Sequence, residues 1–206
     1  MGKIVSKHIK NLRDHLSANF SSVNRSSAIF WIGEENIKSI FSVTNYWSYK
    51  NNNNKVRVFA NWRTKSGEII SQEILDFSDK HVINLKPSSS LLLGGSLEIE
   101  AHSDENLKIP YSAVMGIYES TKNISMVHSY SRILNDRELI QNDKLEVKGS
   151  EGCWVLKDSE FITSFSIFHN GNKEIKNFSL SLNIRNSKGE TLQGIFKLDV
   201  LKKYQT

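Results

Sequence analysis

The chain is predicted to be all-β, with two sandwich-like halves related by an internal repeat and an N-terminal amphipathic α-helix in front of them. Three observations predict it. From residue 27 onward, short runs alternate apolar and polar residues, the period of a half-buried strand. Turn-forming residues separate these runs. One ordered set of residues from the first half recurs in the second.

The N-terminal segment comes first. Val5, Ile9, Leu12, Leu16 and Phe20 recur every three or four residues and fall on one stripe of a helix over residues 3–20. Lys3, Lys7, Lys10 and Asp14 fall on the other side, and residues 21–27 read as a polar connector. Three roles compete for this helix. It packs on its own sandwich and covers an edge or open face, it docks on a partner or a second copy and so makes a homo-oligomer, or it lies on an anionic membrane surface.

The strands follow in order. Ile37, Ile40 and Val43 mark one, and Val56, Val58 and Ala60 the next; further runs are 69–75, 96–101, 113–118 and 124–130. Ser66-Gly67, Gly94-Gly95 and Thr121-Lys122-Asn123 punctuate them. This is the pattern of an antiparallel protein.

The repeat joins Trp31-Ile32 and the run from Ile37 to Asn45 with Trp154-Val155 and the run from Ile162 to Asn170. Downstream, the run from Trp62 to Glu68 matches the run from Ile184 to Glu190. Each tryptophan is expected to anchor a core, each asparagine to end a strand, and each glycine to supply the positive φ of a hairpin. In general style each copy resembles the immunoglobulin-like sandwiches of many bacterial proteins. The resemblance implies two packed antiparallel sheets and no particular activity, since such sandwiches host binding, structural and enzymatic roles alike. The expected units are a helix and connector at 1–25, a first repeat at 26–120, and a second, shorter repeat at 121–206. Strands at 124–132 and 143–148 are expected to complete the second.

Composition sets the limits. At 206 residues with 38% hydrophobic content, the chain has material for a packed core. Cys153 is the only cysteine, which excludes an intrachain disulfide and points to the cytoplasm. Beside Trp154 it reads as a small buried hydrophobe rather than a nucleophile. No apolar run reaches the ~20 residues of a membrane helix, and no secretory signal is expected. The net charge of +5 is concentrated in residues 1–25, which carry Lys3, Lys7, Lys10, Arg13 and Arg25 against Asp14. The remainder is nearly balanced, so there is no strong nucleic-acid signal.

Two groups of residues are candidate ligand sites. Met126, His128, Tyr130 and Arg132 would share one face of a strand, where the last three suit a carboxylate, a phosphate or a sugar. Tyr46, Trp47 and Tyr49 lie in a loop beside the run Asn51 to Asn54, a composition that suits ring stacking on a sugar. No cofactor and no metal are expected. His8, His15, His81, His102, His128 and His169 lack ligand spacing, and there is no cysteine pair, phosphate loop or nucleophile elbow. The function expected is a non-catalytic binding or assembly module for a glycan-like ligand or a protein partner. Two alternatives stay open. One is a carbohydrate-active enzyme with a polar cleft near residues 119–132, using Glu119. The other is a structural subunit held in an assembly by its N-terminal helix.

Overall fold

The structure, a computed structural model, describes residues 24–52, 55–103, 113–128 and 174–202. The predicted helix at 3–20, the loop tip at 53–54, and the segment 129–173 with Trp154 lie outside the described residues.

The chain is mostly β, in antiparallel sheets. The strands are β1 (Asn24–Trp31), β2 (Lys38–Thr44), β3 (Val56–Arg63), β4 (Ile69–Ile74), β5 (Val82–Leu85), β6 (Ser96–Ser103), β7 (Ala113–Glu119), β8 (Ile124–His128), β9 (Ile175–Arg185) and β10 (Thr191–Leu201). The first sheet has the order β1-β6-β3-β4 and the second β5-β2-β7-β8, while β9 and β10 pair with each other. The strand runs read from alternation fall on β2, β3, β4, β6, β7 and β8.

Period-two alternation builds the core. Phe41 and Val43 of β2 are buried. Val58, Ala60 and Trp62 of β3 and Leu97, Ile99 and Ala101 of β6 are buried with Ala28 and Phe30 of β1. All belong to one apolar cluster that also takes Leu85 from β5 and Val114 from β7, so both four-stranded sheets feed the same core. Phe41 meets Trp62 nearly edge-on at 6.1 Å between ring centroids, the geometry aromatic quadrupoles favour. Gly116 of β7 lies where a Cβ would come within 2.8 Å of the Phe30 ring, so only glycine admits that ring unshifted. The Tyr118 hydroxyl donates to the Trp31 carbonyl at 2.7 Å and ties β7 to β1.

Two expectations are corrected. Trp31 is half-buried and stands outside the apolar cluster, while its neighbours Phe30 and Ile32 lie inside it. Strand alternation explains this, because adjacent residues face opposite sides. Among the described residues, the tryptophans of the core are Trp47 and Trp62. The segment after β2 is also not an open loop. It forms a short helix, α1 (Tyr46–Asn51), whose start is capped by Asn45 accepting from the Ser48 amide at 3.2 Å. Asn52, at φ 50°, ends it and donates to the Ser48 carbonyl.

Candidate functional site

The predicted aromatic platform is divided by α1. Trp47 is buried in the core, Tyr46 is half-buried, and only Tyr49 stands out, at 73% exposure. The three therefore do not form a common stacking surface. A helix of this length places residues 46, 47 and 49 around its circumference, about 100° apart per residue. Tyr49 instead meets His81 edge-on, with ring centroids 5.1 Å apart.

His128 ends β8 and is exposed, whereas Tyr130 and Arg132 lie outside the described residues. Pairing with β7 sets Met115 opposite His128, Ile117 opposite Met126, and Glu119 opposite Ile124. Glu119 and His128 thus occupy opposite ends of the hairpin, separated by four residue steps, or about 13 Å at strand rise. At that distance they do not share a proton.

The same register reveals a surface that sequence reasoning missed. Val114 faces the core, so by alternation Met115, Ile117 and Glu119 face outward. On β2, Ile40 lies opposite Ile117 and Lys38 opposite Glu119. Ile40, Ile117 and Met126 therefore form a straight row across three neighbouring strands, with Ile124 and Met115 beside it. Met126 is 67% exposed, and Ile40 and Ile117 are half-buried. Lys38, Glu119, Ser42 and His128 rim the row. The available signal was that β2 and β7 carry apolar residues at both parities, which a strand solvated on one face does not need.

The first sheet has the converse arrangement. The side of β6 opposite the core carries Ser96, Glu98, Glu100 and His102, and the first three are buried, with Glu98 at 0% and Glu100 at 1%. Arg63 donates from Nη2 to Glu98 Oε2 at 2.7 Å and from Nη1 to the Gly67 carbonyl at 3.2 Å. Asn61 donates to the same Glu98 oxygen at 3.3 Å and accepts from Gln72. His102 Nε2 lies 3.0 Å from Glu100 Oε2, and its ring meets Phe59 edge-on. Buried charges persist only when paired and hydrogen-bonded; Glu98 Oε2 meets that condition, whereas the Ser96 hydroxyl is buried with no hydrogen-bond partner. Two carboxylates two residues apart resemble an acid–base pair, but Glu98 is held by a guanidinium and an amide. Such partners hold the carboxylate in one place, as a structural anchor does.

Among the described residues no group of three histidine, cysteine or acidic side chains is placed to hold a metal ion. Nor is any described helix long and apolar enough to cross a membrane. No family model matches the chain, and no curated protein and no solved structure is significantly similar to it.

Proposed function

We propose that the chain is a non-catalytic assembly module, a β-sandwich of immunoglobulin-like style that associates through the outer face of its second sheet. The observation that carries this reading is the row Ile40, Ile117 and Met126. An apolar surface rimmed by polar residues, running to β8 at the edge of the sheet among the described residues, is the usual mark of a protein contact. The partner is a second copy of this chain. Outside residues 1–25 the charges nearly cancel, so two bodies meet without strong repulsion.

The sandwich reading is supported by the single core shared by two four-stranded sheets. The immunoglobulin-like style is supported by β2 pairing with β5 in one sheet and β3 pairing with β6 in the other. β1 and β7 depart from that style, since each occupies the sheet where the other would be expected. The single cysteine supports a cytoplasmic setting.

Light scattering on the full chain across a concentration series tests the proposal. Association is expected, and Ile117→Lys combined with Met126→Lys should abolish it while the chain stays folded. A chain that is monomeric throughout the series, or one whose assembly survives both lysines, overturns the reading. A glycan is the second reading, favoured by the exposed Tyr49 ring and the adjacent His81.

A further inference from the structure

Among the described residues the second sheet ends at β8. An edge strand offers a row of backbone N–H and C=O groups to any strand laid beside it, and edges are ordinarily guarded by charge, proline, a bulge or short length. Two other edges carry such guards. β5 is four residues long and runs into Lys86-Pro87, while β4 carries Glu73 and lies beside the register shift at Trp62/Arg63. β8 is Ile124-Ser125-Met126-Val127-His128, with no lysine, arginine, carboxylate or proline.

β8 is also bare on both of its sides, since every one of its residues is exposed. Ile124 and Met126 stand on the outer side. Ser125 lies opposite Tyr118 and Val127 opposite Gly116, on the side where Tyr118 meets Phe41 and Gly116 meets Phe30. Even there Val127 is 45% exposed. A strand laid beside β8 would therefore find apolar contacts on either side of the sheet.

A second β8 fits that place. Residues close to a twofold axis face their own kind, and like charges directly opposite each other repel. β8 brings no lysine, arginine or carboxylate to such an axis. An axis normal to the sheet keeps the outer faces of both copies on the same side. It must then pass beside one residue and not between two, because neighbours along a strand face opposite ways. Met126 is the middle residue of β8, and only an axis there pairs all of the strand. Met126 then faces Met126 of the other copy, Ser125 faces Val127, and Ile124 faces His128.

We propose that two copies of this chain join edge to edge through β8, antiparallel and centred on Met126. The row Ile40, Ile117 and Met126 then runs on across the axis into its own copy as one straight apolar strip. This pairing rests on the outer-face reading, since it lengthens the same row, and it leaves the strip free to make the outer-face contact.

The test mixes two full-length chains, both carrying Cys153→Ser, one with Ser125→Cys and the other with Val127→Cys, under mild oxidation. Both cysteines lie on the core side of β8, so contact between outer faces alone does not bring them together. In the proposed register they are directly opposite, within reach of a disulfide. A mixed disulfide on a non-reducing gel is expected. Either chain alone should form none, because position 125 or 127 stands about 8 Å from its own copy, too far for the bond. Equal cross-linking by one chain alone overturns the register. A chain that associates in light scattering but gives no mixed disulfide overturns the β8 pairing and leaves the outer-face reading standing. A chain that is monomeric at every concentration overturns both. Hydrogen exchange on the unaltered chain needs no substitution. Amides of β8 should exchange about 10-fold or more slowly when the chain is associated than when dilution has separated it. Equal rates in the two states overturn the proposal.

Discussion

Arg63 and Glu98 form an ion pair of 2.7 Å on the side of the first sheet away from the core, with side chains 4% and 0% exposed. Removing one member leaves the other charged and buried, which typically costs about 3–5 kcal/mol. Arg63→Met is therefore expected to lower stability by that order in a urea melt. Replacing both residues by apolar side chains should restore most of the loss, since a paired buried charge contributes little beyond an apolar filling. Equal losses in the single and double variants would show that the pair does not act as a unit.

Trp47 and Tyr49 lie two residues apart on α1 and differ in burial. Trp47→Ala opens a cavity in the shared core and is expected to cost about 3–5 kcal/mol. Tyr49→Ala should stay within about 0.5 kcal/mol, as exposed substitutions do. If a glycan binds here, Tyr49→Ala weakens it without lowering the melting temperature, and a glycan array read beside a thermal melt separates the two effects.

Burial raises the pKa of the Tyr118 phenol well above its usual value. The folded state thus holds this proton more tightly than the unfolded chain, whose tyrosines ionise near pH ~10. The resulting stability is complete below that pH and is lost as pH rises above it. Melting temperature should fall on the alkaline side, and Tyr118→Phe should reduce the fall while costing about 1 kcal/mol at neutral pH for the bond to Trp31. An identical alkaline profile in the variant would assign the effect to other groups.

The strands were legible because alternation reports which residues cannot face water. Phe41 and Val43, or Val58 and Ala60, leave little choice of register. What alternation does not report is whether the opposite face meets water. Glu98 and Glu100 stand at the polar positions of the alternation in β6, yet both are buried. Ile40 and Met115 are apolar, yet they line an outer face. Trp47 was misplaced because the polar stretch around it resembles a loop. The helix there depends on Asn45 and Asn52 acting as caps, a pair of local bonds that composition alone does not distinguish from a turn. Of the strand residues singled out for recognition, Met126 and His128 share the outer face as expected from their spacing. That face had been read as a polar site, but most of its centre is aliphatic.

The strand order also governs how the molecule must assemble in time. Of the eight strands in the two larger sheets, only β3–β4 and β7–β8 are joined as hairpins; β1 finds its sheet neighbour in β6, and β2 finds one in β7. During synthesis, the early strands therefore leave the ribosome before their partners exist. Loop closure must be paid before these distant pairings give anything back, so folding is expected on the millisecond-to-second scale of β-topologies rather than the microseconds of helical bundles. Until β6 and β7 are made, β1 and β2 present unpaired edges, and the nascent chain has its greatest tendency to aggregate while the first half is complete in sequence but not yet in sheet.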